Sequence, residues 1–370
     1  MREHSSDMTR VIWTLSRIPG FGIQKFRRLR EMVPPGDGFL SEKILAIVRE
    51  EEDWGRDFVL QFEEAFASGE FEQEMDRCVE KGIEVVNVFD PVYPKRLAAI
   101  YDPPLILYVK GTLVPEDEAA VAIVGTRRPT LYGLRTSERF ASELAMRGVT
   151  IVSGMAKGID SEAHRGALRA KGRTIAVLGS GLDVIYPKEN VSLYKEVTQH
   201  GAVVSEFPLG TAPVPFNFPK RNRLISGLSM GVVVIEANQK SGSLITAACA
   251  LEEGREVYAV PGPIDSVTSI GTNQLIQKGA KLTIWPQDIL EDLAPQIHAC
   301  LNETGPAPQR APAGDSAGEI VLKVLKGNPL YFDEILMQTS HHPAELHEKL
   351  TRLELEGVIR REIGGRYSLT

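Results

Sequence analysis

From Val121 to Val260 the chain repeats one pattern: a short apolar run, a loop of small residues, then a stretch of helical periodicity. Val121–Val124, Thr150–Val152, Thr174–Leu178, Ala202–Ser205, Val232–Ile235 and Glu256–Val260 have strand character. Between them, Gly133–Met146, Ser161–Ala170, Val191–Thr198, Leu224–Leu228 and Leu244–Glu253 have helical character. Strands apolar on both faces and alternating with helices require a parallel sheet covered on both sides. Two more strands, Ile83–Val88 and Leu105–Val109, precede this series, separated by the turn-rich Asp90-Pro-Val-Tyr-Pro94 and Asp102-Pro-Pro104. The pattern predicts an α/β fold built on an extended, Rossmann-like, doubly wound and mostly parallel sheet, with its ligand at the carboxyl ends of the strands.

Flanking segments differ in kind. Residues 1–81 read as a helical domain, with Trp13, Leu15, Ile18, Ile23, Phe26 and Leu29 at helical spacing around Pro19-Gly-Phe-Gly22. Such a break resembles the helix-hairpin-helix (SAM-like) motif, in which hairpin amides meet a DNA phosphate; Arg17, Lys25, Arg27 and Arg28 are close by. A plain turn in a small bundle, its arginines solvated, explains the same residues. The α/β domain then covers 82–298, and 299–318, rich in Gly, Pro and Ala, forms a linker. In 319–370, helical Ile320–Leu325, Asp333–Met337 and Ala344–Leu355 precede Val358–Glu362, Gly364-Gly365 and Arg366–Leu369, the order of a winged helix. Its groove-facing helix carries Glu345, Glu348, Glu354 and Glu356, which a duplex would repel, so protein contact or a structural role is the better reading.

A net charge of −7 argues at first against nucleic acid, but the charge is unevenly distributed. Ala119 to Trp285 holds 19 Lys+Arg and 13 Asp+Glu, a net of +6, which leaves −7 − 6 = −13 for the rest. Arg10 to Arg30 has six basic and no acidic side chains, whereas Arg49 to Asp76 has eleven acidic and two basic ones. Because salt limits each exposed charge to about 10 Å, a basic middle suffices for local phosphate binding.

Five strand-end loops concentrate the candidate chemistry: Gly125-Thr-Arg127, Ser153-Gly-Met-Ala-Lys-Gly158, Gly179-Ser-Gly181, Phe218-Pro-Lys-Arg-Asn-Arg-Leu-Ile225 and Ser241-Gly-Ser-Leu-Ile-Thr246. Each precedes a helical segment, where free backbone N–H groups favour an anion. Several on one sheet, with cations beside them, point to a ligand carrying several phosphates. The candidate DNA-binding residues are Gly125, Thr126, Arg127, Ser153, Gly154 and Lys157, then Lys188 and Asn190 after Tyr186-Pro187. Phe218, Lys220, Arg221, Asn222, Arg223, Ser241, Gly242 and Ser243 complete the set. Gly125 permits close backbone approach, and Arg127 offers paired hydrogen bonds to a phosphate. Phe216 and Phe218 can stack on bases, worth about 1–3 kcal/mol each, while Lys220, Arg221 and Arg223 track the backbone. Burial of both rings beneath a loop is the structural alternative.

Other chemistries find less support. Asp160 and His164 stand one helical turn apart and, with Ser153 as nucleophile, would suit a hydrolase; the same spacing also marks a structural pair, and no oxyanion donor is legible. A Walker A sequence is missing, Gly179-Ser-Gly181 lacks the third glycine of a dinucleotide fingerprint, and Ser153 rather than an acid follows Val152. Cys78, Cys249 and Cys300 are widely spaced, and no Cys/His pairing has zinc-site spacing, so neither metal nor cofactor is expected. No run approaches the roughly 20 apolar residues of a membrane helix, and the polar N-terminus has no signal-peptide core, so a cytoplasmic location is expected.

Taken in order, Tyr93-Pro94, Pro104-Leu-Ile-Leu-Tyr108, Val121 to Arg127, Val152-Ser-Gly154, Gly158-Ile-Asp160, Ala163-His164, Tyr186-Pro187, Ser205-Glu206, Phe218 to Arg223, Ser241 to Thr246, Val260-Pro-Gly262 and Gly279-Ala280 resemble the DNA-processing protein A (DprA/Smf) family. The resemblance implies a non-enzymatic protein that binds single-stranded DNA, protects incoming strands and loads the RecA recombinase in natural transformation. It also implies a homodimer formed through the later part of the central domain. The family's pocket residues fall on Arg127, Lys188 and Arg221 to Arg223, with Thr126 in place of its serine. A nucleotide phosphoribohydrolase similar to the Lonely Guy family is the alternative; the loop Ser241 to Thr246, followed by Ala247, Ala248 and Cys249, lacks the glutamate those enzymes use.

Overall fold

The computed structural model describes residues 2–33, 41–50, 54–304 and, within the last stretch, 321–322, 324–325, 330–339, 346, 349–350, 353–354, 358–361 and 366–369. Residues Met1–Thr304 form one compact unit and the remainder a second. The first unit opens with five helices: α1 (Arg2–Arg17), α2 (Ile23–Met32), α3 (Ser41–Glu50), α4 (Gly55–Ala67) and α5 (Glu70–Glu80). Then come β1 (Glu84–Asn87), α6 (Lys95–Ala98), β2 (Ile106–Gly111), β3 (Ala120–Val124), α7 (Leu131–Ala145), β4 (Thr150–Ser153), α8 (Ile159–Arg169) and β5 (Thr174–Val177). After them follow α9 (Val191–His200), β6 (Gly201–Ser205), α10 (Asn217–Gly227), β7 (Gly231–Val234), α11 (Ser243–Glu252), β8 (Glu256–Ala259), α12 (Ile270–Gln277), β9 (Lys281–Leu282) and α13 (Pro286–Thr304).

All nine strands join one sheet in the order β1-β2-β6-β5-β4-β3-β7-β8-β9. From β6 to β9 every neighbouring pair is parallel, while β2 runs antiparallel to both β1 and β6. The expected mostly parallel α/β sheet is therefore present. Its central strand shows why: Val121 and Ile123 face one layer, with Phe140 and Leu144 of α7 and Ile159 and Ala163 of α8. Ala120, Ala122 and Val124 face the other, with Leu224, Ile225 and Leu228 of α10 and Ala247 and Ala250 of α11. Each large side chain so buried contributes about 1.5–3 kcal/mol. The helical N-terminus packs on the sheet's other flank, where Trp13, Leu15 and Phe71 share a core with Tyr108, Tyr194 and Val203.

Element boundaries differ most from the sequence reading at α10 and after Val260. α10 begins at Asn217 rather than Leu224, because Pro219 falls in the first turn, where a missing N–H costs nothing. The sequence reading named no element between Val260 and His298, yet α12, β9 and α13 lie there. α13 continues to Thr304, so Ala299–Thr304 are helical rather than linker; Ile289, Leu293 and Ile297 anchor it to the layer of α7 and α8. Residues 305–318 of the expected linker lie outside the described residues.

In the second unit, β10 (Leu330–Tyr331), β11 (Ile359–Arg361) and β12 (Arg366–Leu369) build an antiparallel sheet in the order β10-β12-β11, with α14 (Phe332–Thr339) following β10. Val321, Leu325, Ile335, Leu346, Leu350, Leu353, Ile359 and Tyr367 form its core. Of the acidic residues expected on its helix, Glu354 is exposed, while Glu345, Glu348 and Glu356 lie outside the described residues, as does Gly364-Gly365.

Candidate nucleic-acid interface

After β1 and β2 at one edge, the parallel part of the sheet starts at its centre with β3, winds outward through β4, β5 and β6, then returns through α10 to β7, on β3's other side. α7 after β3 and α11 after β7 lie on opposite faces, so the two strand-end loops diverge. A crevice at such a switch point is where open α/β sheets bind ligands. Here it is a cleft of about 730 Å³ lined by Gly125–Arg128, Tyr186, Phe218, Arg221, Asn222, Asn238, Ser241–Ser243 and Thr268, among others.

One face of α10 supplies its wall. Phe218, Arg221, Asn222 and Ile225 follow i, i+3, i+4, i+7 spacing and so share a side of the helix. The exposed Arg127 guanidinium lies 5.1 Å from the centre of the Phe218 ring, and the Tyr186 ring is 5.9 Å away on the same ring. Arg127 has no ion-pair partner among the described residues. Beneath them Arg221 is 4% exposed; its Nη1 donates to the Val177 carbonyl at 2.9 Å and its Nε has no acceptor. Burial pushes the Arg221 guanidinium down to about 10, with Asp160 opposing the shift, so it stays charged at neutral pH. The same burial holds the Asp160 carboxyl above its ordinary range, with Arg221 opposing.

Two glycines make this arrangement possible. A Cβ on Gly154 would stand 1.7 Å from Arg221 Nη1 and 2.7 Å from Asp160 Oδ2. One on Gly125 would stand 2.7 Å from Ile159 Cγ1 and 3.0 Å from the Glu236 carbonyl.

Other sequence-expected residues are placed differently. Ser153 is fully buried and donates to the Ile123 carbonyl at 2.6 Å, and buried Asn190 donates to the Met155 carbonyl and Ser161 Oγ at 2.7 and 2.8 Å; both hold the scaffold together. Thr126 accepts from the Arg128 N–H at 3.2 Å and shapes the loop. Ser241 and Ser243 bond each other at 2.8 Å on the cleft wall, and Asn222 donates to the Gly242 carbonyl at 3.3 Å. Lys157 pairs with Glu189 at 2.5 Å. Lys188 is exposed in a 3₁₀ turn after the cis Tyr186–Pro187 peptide, outside the cleft lining. Lys220 lies 4.5 Å from the Phe216 ring, and Arg223 pairs with Glu206 and Asp102 on the far side of α10.

Sequence reasoning overlooked Glu236. Its carboxylate accepts from the Thr130 N–H at 2.9 Å and the Thr130 hydroxyl at 2.6 Å, and its carbonyl accepts from the Thr126 N–H at 2.7 Å. The end of β7 thus pins the loop that carries Arg127. An acid directly after the apolar β7 in a basic domain was the available signal. The acid–base reading fares poorly: His164 is fully buried, bonded to Thr174 Oγ1 at 2.7 Å, and pushed down to about 3 by burial and by Arg165 and Arg221. Among the described residues no cluster of His, Cys, Asp or Glu could hold a metal, and no helix is long and apolar enough to cross a membrane.

Comparisons with known proteins agree with this architecture. Residues 84–294 match the sequence profile of DNA recombination-mediator protein A, and 305–365 match the DprA winged helix domain. Protein Smf of Escherichia coli K12 is 50% identical over 207 residues, 56% of this chain and 55% of that protein. DNA processing protein DprA of Bacillus subtilis is 46% identical over 216 residues, 58% of this chain and 72% of the relative. Protein Smf of Synechocystis is 35% identical over 328 residues, 80% of this chain and 82% of the relative. The X-ray structure of DNA processing protein A from Streptococcus pneumoniae superposes with a TM-score of 0.61 at 35% identity, covering 79% of this chain and 96% of that one. The Helicobacter pylori protein, whose structure concerns its single-stranded DNA binding mode, gives 0.53 at 34% identity, over 58% of this chain and 96% of that one. As the strand-end motifs led one to expect, the chain belongs to the DNA recombination-mediator protein A family, the family also called DprA/Smf.

Proposed function

We propose that the switch-point cleft binds single-stranded DNA without cleaving it. The observation that carries this reading is the trio Arg127, Phe218 and Arg221: an unpaired guanidinium over an aromatic ring, above a buried guanidinium with a free N–H. Stacking platforms beside cations bind strands with little sequence preference. The Helicobacter pylori relative, named for single-stranded DNA binding, lends support.

On this reading the protein works in the cytoplasm, shields incoming strands during transformation and passes them to the RecA recombinase. It acts as a homodimer through the central domain. The exposed Leu282, Ile284 and Trp285 at the edge strand β9 support that last point, because an open sheet edge with apolar side chains favours pairing with a second copy.

Fluorescence anisotropy with a labelled dT15 and a matched duplex, at two salt concentrations, tests the proposal. The single strand is expected to bind tighter, with affinity falling steeply as salt rises. Equal affinity for both forms, or binding by Arg127→Ala equal to the wild type, would refute it.

A further inference from the structure

A second cleft, of about 470 Å³, lies on the other side of the first turns of α10. Trp13, Arg17 and Gly22 of the helical N-terminus form one wall, and Lys220 and Arg223 of α10 form the opposite one. Phe218, Pro219 and Arg221 line the first cleft, so one helix is the partition between the two.

The cations of the second cleft divide into two kinds. Arg223 is engaged by Glu206 and Asp102. Arg17 and Lys220 are not: the Arg17 guanidinium lies 5.2 Å from the Trp13 ring and Lys220 Nζ 4.5 Å from the Phe216 ring, with no ion pair for either among the described residues. Phe216, 70% exposed, is the N-cap of α10, the helix between the clefts, and lines neither of them. The hairpin's other cations lie outside the lining of this cleft. Arg27 donates to the Tyr101 carbonyl at 2.7 Å, and Lys25 and Arg30 lie over Phe58 and Phe89. α2 also opens into this cleft at Gly22, with no side-chain cap on its N-terminal amides.

Two unpaired cations backed by rings, an exposed ring on the ridge and an uncapped helix start repeat the chemistry of the first cleft one helix away. A helix is about 10–12 Å across, the length of about three stacked nucleotides at 3.4 Å each. We propose that the second cleft takes the continuation of the same single strand, with Arg17 and Lys220 on its phosphates and Phe216 as the stacking ridge between the two sites. The inference rests on the reading of the first cleft as a single-strand site. It gives the helical N-terminus a direct part in binding, through Arg17 rather than through the whole basic hairpin.

The test compares dT6, as the short probe of the first cleft, with dT15, as the probe long enough to cross the roughly three-nucleotide width of α10, by competition anisotropy on the full chain. Arg17→Ser is expected to leave dT6 affinity unchanged, to weaken dT15 about three- to tenfold, and to lower the dT15 salt slope by about 0.7, one phosphate contact on a single strand. Arg17→Lys should restore both, and an unchanged melting midpoint shows that the exposed substitution leaves the fold intact. Equal losses on both lengths, or none on either, would overturn the second cleft. Arg127→Ala keeps the two ideas apart: if it weakens neither oligomer, the first-cleft reading fails; if it weakens both while Arg17→Ser weakens neither, only the second cleft fails.

Discussion

Arg221 and Arg223 stand two residues apart on α10 and on opposite sides of it: the first is buried beneath the switch-point cleft, the second is paired with Glu206 and Asp102. At 3.6 residues per turn, a two-residue step rotates a side chain by about 200°. The basic run therefore divides between a ligand-facing and a scaffold role.

That division separates the effects of two substitutions. Arg127→Ala, which removes an unpaired cation from the cleft, is expected to lower single-strand affinity at least about tenfold, since charged hydrogen bonds contribute roughly 1.5–3 kcal/mol. Arg223→Ala should leave dT6 affinity within about twofold but lower unfolding free energy by about 3 kcal/mol, because Glu206 keeps a buried charge without its partner. Burial holds the Glu206 carboxyl above its ordinary range, so the loss should shrink on acidification as the carboxyl takes up a proton. Paired binding and urea titrations check both.

Gly154→Ala places a methyl where the Arg221 guanidinium now lies. Overpacking of this sort costs about 1–3 kcal/mol, and here it also dislodges the buried cation. Both melting temperature and single-strand affinity are expected to fall. A variant that melts lower yet binds normally would show that Arg221 contributes only to the fold.

Phe218→Leu keeps an apolar side chain against Tyr186 and Arg127 but removes the ring face. Affinity for dT6 should fall by about 1–3 kcal/mol, with the salt slope unchanged because no cation is lost. A changed slope would mean that Arg127 has moved with the ring.

His164 predicts a pH dependence of stability. Its pKa is pushed down to about 3 in the fold, while the unfolded chain takes up that proton near the ordinary value of 6.5. More protons on the unfolded state means stability falls as pH drops from 6.5 towards 3, by up to about 1.4 kcal/mol per unit for this one group. His164→Asn, which can keep the bond to Thr174, should flatten that slope. Denaturant melts at pH 7, 6 and 5 measure it.

Much of the site was legible because the signals are local. Gly125 was marked by the need for close approach, Gly154 by its place in a strand-end loop of small residues, Arg127 by its place at a strand end, and Phe218 by its ring beside cations. The sides taken by Arg221 and Arg223 were not legible, since Pro219 reads as a breaker and sits instead in the first turn of α10. Ser153 and Asn190 carry the right chemistry for a ligand, yet spend it on the Ile123 and Met155 carbonyls. α13 was hidden by Pro295, although Ile289, Leu293 and Ile297 recur at four-residue spacing.

Alone, the sequence determined the parallel sheet, the positions of its strand-end loops and the basic character of its middle, because apolar period, backbone freedom and charge are properties of neighbouring residues. Only the tertiary structure decided which loops meet, which cations remain unpaired and that α10 separates two clefts. Those outcomes depend on partners far away along the chain: Glu236 on Thr130, Glu206 on Arg223, and Trp13 brought opposite Lys220.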